Sequence, residues 1–269
     1  MTHRSLPVMR TLAAAYRDWR RTLLALRMLV VSAFLILAAL AAVAELVPES
    51  LWFQNIAGSA LNLADDAIWA LLVTPIVIAV HRFVIQDVVT SAYTLPLGDP
   101  IYRKFFVWLF ALKVLSGLPF DLLGAMQAFE WPLWASTLGF AAALVAAIGL
   151  SLRLLILLPA LAVQAPGATG AHALADSKGY ALRLFAIFFL ALFPWVAVSV
   201  GGVSLLGRRI EVTGSPQMMI GLVMGGLLQT IVLTLSAVVA SHAFRILAAA
   251  LNRAPKLAPA HPIRRRGFD

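Results

Sequence analysis

The chain has 269 residues, of which 62% are hydrophobic and only 12% charged, with a formal net charge of +9 and a mean hydropathy of +0.92. Soluble domains carry about 25% charged and about 45–50% apolar residues, so this surplus of apolar sequence has to face lipid, and an ordinary soluble fold is excluded. There is no cysteine, which removes disulfides, thiolate metal sites and thiol nucleophiles.

Crossing about 30 Å of hydrocarbon takes roughly 20 largely apolar residues. Six stretches qualify: 28–47, 65–85, 103–123, 131–152, 184–206 and 217–240. The regular alternation of a transmembrane barrel is missing. The expected fold is therefore all-α, a polytopic membrane bundle of six transmembrane helices with interfacial amphipathic helices at the N-terminus and in mid-chain. Residues 1–27 form a cytoplasmic amphipathic N-terminal segment, 28–252 the six-helix transmembrane domain and 253–269 a basic cytoplasmic tail.

Within 9–27, Leu12, Tyr16, Trp19, Leu23 and Leu26 recur at spacings of four and three, with arginines on the other faces. That pattern suits a helix lying in the interface, aromatic rings at headgroup depth and arginines toward phosphates. The stretch "WRRTLLAL" has a twin arginine, and "AVA" at 42–44 resembles a cleavage site. The first span is nonetheless expected to remain as an anchor, because the basic stretch before it is long for a signal peptide.

The first connection carries Glu45, Glu49, Asp65 and Asp66 and no basic residue. These acids read as a solvated or half-embedded loop able to meet a cation. The second span then ends in "IAVHRFVIQD". Asp99 followed by Pro100 is start chemistry for the third helix. Two sets of small residues, Ala135, Gly139, Ala143 and Ala147, and Gly221 with Gly225, mark faces expected to pack inward. Pro75, Pro159 and Pro194 are expected to kink or break their helices.

After "QAPGATG", the segment "AHALADSKGYALRLF" (171–185) is the mid-chain amphipathic candidate. Asp18, Arg20 and Leu24 share their offsets with Asp176, Lys178 and Leu182. Sixty-odd residues after each aspartate come His81 with Phe83, and His242 with Phe244. A parallel repeat gives this pattern; so does chance in an apolar sequence of low complexity. Both readings stay open.

Lysine and arginine set orientation. They collect before the first span, in the second and fourth connections (Arg82, Arg103, Lys104; Arg153, Lys178, Arg183) and in the tail from Arg245 to Arg266, with only Arg208 and Arg209 out of pattern. A multi-pass protein of the bacterial inner membrane with both termini cytoplasmic is expected. The positive charge is then a topology signal and an attraction for anionic lipids rather than a nucleic-acid footprint.

Two groups of polar residues are candidates for binding. The first is a belt at one membrane level: His81, Arg82, Arg153, Arg183, His242 and Arg245. Arginine forks hold phosphate oxygens and histidine can donate or titrate, so the belt is expected to meet a phosphate or lipid headgroup. The second is intramembrane: Lys113, far along the third helix, and Asp121 two turns further, able to share a cavity with it. A lysine at mid-membrane is expected to face the bundle interior, and Lys113→Met to preserve folding. No nucleophile elbow, zinc-binding histidine pair, phosphate-cradling loop or nucleotide fingerprint occurs, so no catalytic residue, metal site or cofactor is assigned.

At "AVHRFVIQD" (79–87) and "LRLLILLPALAVQAPGATGAHALADSKGYALRLF" (152–185) the chain resembles a group of uncharacterised six-span bacterial inner-membrane proteins. These are similar in layout to YciC-like proteins and to the membrane domain attached to some glycerophosphodiester phosphodiesterases. The resemblance implies an all-helical inner-membrane fold and supplies no catalytic residues.

The expected role is binding, moving or organising an anionic lipid or another lipid, or a small anionic molecule, without catalysis. The alternatives are an accessory subunit that docks a membrane-protein partner or a second copy of itself, and a membrane-embedded enzyme of lipid metabolism.

Overall fold

The computed structural model describes the backbone of residues 6–46, 56–209 and 215–252, and the side-chain surroundings of 6–43, 60–201 and 221–252. Glu49, Arg4 and the basic tail 253–269 lie outside it. The described residues form helices α1 (Val8–Ala25), α2 (Arg27–Leu46), α3 (Ile56–Gln86), α4 (Pro100–Ala128), α5 (Leu133–Leu154), α6 (Leu157–Ala162), α7 (Gly170–Asp176), α8 (Ala181–Arg209) and α9 (Ser215–Leu247). Five segments are long and apolar enough to cross a membrane, or six if the bent pair α1 and α2 counts as one. Large apolar side chains point outward along them, among them Leu133, Trp134, Val145 and Val198. In water so extensive an apolar surface would drive association. The chain is a helical membrane-protein bundle, with backbone polar groups satisfied inside helices, as lipid demands.

The bundle is organised around α9, which packs on α1, α2, α3, α6 and α8. Its closest approach is to α2: a Cβ at Gly226 would sit 3.0 Å from Ala38 Cβ and 3.2 Å from Ala38 Cα. Gly221 and Gly225, expected to face inward, have nothing within 4 Å of such a Cβ. The glycine that permits close packing is therefore the neighbour of the motif, because a shift of one residue turns the side chain by about 100° on a helix of 3.6 residues per turn. Gly139 does pack inward as expected, against Met126 of α4. Replacing Gly226 with leucine is expected to push α2 from α9 and cost about 1–3 kcal/mol, measured as a lower unfolding temperature. Gly221→Leu should leave that temperature unchanged.

The helix breaks next to Pro159, whereas α3 and α8 run on past Pro75 and Pro194. α5 stops at Leu154, and α6, which holds Pro159, resumes at Leu157 with all six of its residues buried. Pro75 sits inside α3 and has no N–H for the carbonyl of Leu71. The Tyr102 hydroxyl donates to that oxygen at 2.6 Å, and Tyr93 donates to Leu72 O at 2.8 Å. Burial, with Tyr102 beside it, pushes the Tyr93 phenol up to about 12, so it remains a donor at any physiological pH. In α8, Tyr16 donates to Ala191 O at 2.7 Å, one residue beyond the carbonyl that Pro194 frees. Pro119, inside α4, is a further interior proline.

α1 and α2 meet at 91°. The amphipathic helix exists, but its aromatic face does not look into headgroups. Thr11, Ala15, Trp19 and Thr22 are buried against α8 and α9. Trp19 Nε1 donates to Thr234 Oγ1 at 2.9 Å, and its ring meets Trp195 edge-on at 5.4 Å. The sequence pattern fits a lipid interface and a protein groove equally well, and here the groove takes it. The mid-chain segment also differs from expectation. It breaks after Asp176, where Gly179 adopts φ +82, leaving α7 with seven residues. α7 packs on α5, so the two surface helices differ in both length and partners.

Candidate functional site

A cavity of about 640 Å³ lies between α2, α3, α4, α5, α6 and α9. Its walls are mostly leucine, valine and alanine, and its polar lining is His81, Ser151, Lys113, Asp65, Ser116, Gln229 and Ser236.

His81 is completely buried. Its Nδ1 lies 2.8 Å from Ser241 Oγ on α9, its ring centroid 6.0 Å from that of Phe105 on α4, and the Ala237 carbonyl lies against it. Nε2 and the Ser151 hydroxyl are both buried without a hydrogen-bond partner, and both residues line the cavity. Buried polar atoms are nearly always paired, so two uncommitted ones around one cavity are what a ligand's polar group would complete. His81 faces Ser241 of α9 rather than the outside of the bundle. It belongs to the interior, because the helix continues to Gln86 and turns the histidine toward α9.

Lys113 also lines the cavity. Its Nζ lies 3.4 Å from Asp66 Oδ1 and 5.4 Å from the centre of the Trp69 ring. The aspartates expected in a solvated connection stand instead well inside α3, because that helix starts at Ile56. Asp121 is exposed and does not share the cavity. With a carboxylate already beside it, the ammonium is not an uncompensated anion site.

Of the remaining members of the expected belt, Arg82, Arg153, Arg245 and His242 join one helix to another. Arg82 Nε donates to Ala162 O at 2.9 Å, Arg153 Nη2 to Leu174 O at 2.7 Å and Arg245 Nη2 to Ile85 O at 3.4 Å. Carbonyls at helix C-termini lack intrahelical donors, and these guanidiniums supply them. Arg183 stacks over Tyr180 at 5.9 Å. His242 Nε2 lies 3.1 Å from Asp18 Oδ2, tying α1 to the end of α9. Asp176 accepts from the backbone N–H groups of Ala250 and Leu251 at 2.9 and 3.0 Å. A smaller pocket between α1 and the end of α3 is lined by Asp18, Arg21, Asp87 and Arg245, with carboxylates interleaved among its arginines. Among the described residues no three histidine or acidic side chains group to hold a metal ion.

Set against models of known protein families, curated proteins and solved structures, the chain matches none.

Proposed function

We propose that this membrane protein binds a lipid or another amphiphile in the cavity between α3, α4, α5 and α9. The observation that carries the reading is the lining: mostly apolar walls with a few inward polar groups, the usual make-up of a small-molecule site. An anionic head is supported less well than the sequence suggested, since Lys113 stands beside Asp66 and three arginines of the belt already serve backbone carbonyls. The charge alternation supports a bacterial inner-membrane location with both termini cytoplasmic, and the resemblance to YciC-like proteins supports the same setting. A reporter fused after Asp269 should be active only in the cytoplasm; activity on the other side overturns that orientation.

Trp69 gives the cavity an intrinsic probe, since its ring lines the wall. In detergent, one equivalent of a phospholipid with brominated acyl chains should quench part of the tryptophan fluorescence. Trp69→Phe should remove most of that stoichiometric quenching. Equal quenching in both proteins would place the lipid outside the cavity.

A further inference from the structure

We infer that the His81 end of the cavity receives an uncharged, hydroxyl-bearing head whose O–H donates to His81 Nε2, so that the ligand class is a neutral lipid with a free hydroxyl. This rests on the cavity-binding reading and goes beyond it, because the hydrogen-bond pattern identifies what the head must offer.

The Ser241 hydroxyl has one hydrogen, and it points to the Ala237 carbonyl at 2.9 Å. With its hydrogen on that carbonyl, the hydroxyl accepts at its 2.8 Å contact with His81 Nδ1. The hydrogen of the ring is assigned from this network to Nδ1, which leaves Nε2 with a lone pair. Among the described residues no carboxylate lies against the ring: its neighbours are Phe105 of α4 and Ser241 and Ala237 of α9. Asp66 is paired with Lys113. A wholly buried imidazole with no counter-ion stays neutral, since an isolated buried charge is far costlier than a neutral ring.

An unpartnered acceptor on a residue that lines an apolar cavity selects its partner. A phosphate diester or carboxylate offers only oxygens and would oppose lone pair to lone pair. A hydroxyl donates to Nε2 and keeps its own lone pairs for a donor such as Ser151 Oγ, whose atom is likewise buried and unpaired. An apolar tail lies along the leucine and valine walls.

The test uses the full chain in detergent with 1-dodecanol and its methyl ether, which differ in the donor. The ratio of their affinities, read by native mass spectrometry, should favour the alcohol in the wild type. It should fall about threefold to tenfold in His81→Phe, the worth of one hydrogen bond. A second readout needs no substitution: the ring ¹⁵N spectrum of the wild type should show a His81 Nε2 without hydrogen, whose signal moves on adding dodecanol and not on adding the ether. An unchanged ratio, or a hydrogen on Nε2, overturns the inference while leaving the cavity reading intact. Binding of neither compound to the wild type would sink the cavity reading as well.

Discussion

Replacing Trp19 with alanine is expected to release α1 from the bundle at a cost of about 3 kcal/mol. Aromatic-to-alanine changes in cores cost roughly 3–5 kcal/mol. The lower end applies because a released amphipathic helix can keep its other apolar residues in the lipid interface. Three losses coincide: the buried ring itself, its edge-on contact with Trp195 and the bond to Thr234 Oγ1. Trp19→Phe keeps apolar contact and loses the bond, so it should cost about 1 kcal/mol. Because the chain has no cysteine, Ala15→Cys offers a clean reporter at a position with no exposed surface. That thiol should resist labelling in the wild-type background and react freely with Trp19→Ala. Equal labelling rates would mean that α1 is not held as described.

The second large effect concerns Lys113 and Asp66. Removing one partner of a fully buried ion pair costs about 3–5 kcal/mol, whereas replacing both with apolar residues is often neutral or stabilising. Here the Lys113 side chain is 40% exposed and that of Asp66 20%, so roughly 2 kcal/mol is expected for either single change. Lys113→Met should therefore destabilise, against the expectation from its depth alone, because it leaves Asp66 next to Asp65 without a cation. Lys113→Met with Asp66→Leu should recover most of the loss. Unfolding temperatures of the four proteins in a double-mutant cycle measure the coupling. Additive losses would show that the two groups act independently.

These two sites also show how far residue patterns reach. The depth of Lys113 follows from counting along a helix whose start, Asp99 with Pro100, is written in capping chemistry; Asp99 Oδ1 indeed accepts from Ile101 N at 2.8 Å. Its partner was hidden because the polar stretch before Asp65 does not look helical, although α3 begins at Ile56. His81 was expected to meet a headgroup together with Arg82, its neighbour in the belt. Only the neighbouring helices reveal that one residue lines the cavity and the other donates to Ala162 O. Inter-helix partners such as Ser241 for His81, or Asp18 for His242, are 160 and more residues distant in sequence. Periodicity within one element carries no information about which face of another will meet it. The arginine belt is the same lesson in charge. Arg82, Arg153 and Arg245 hydrogen-bond carbonyls that helix ends leave open.

The central claim is that an amphiphile occupies the cavity, and filling the cavity tests it most directly. Val232 lines the wall, and Val232→Trp would place an indole in the space a tail needs. Native mass spectrometry of the protein purified from membranes should show a lipid-sized adduct on the wild type. The adduct should be lost from Val232→Trp at an unchanged unfolding temperature. An identical adduct on both proteins, or none on the wild type after added neutral lipid, would contradict the account.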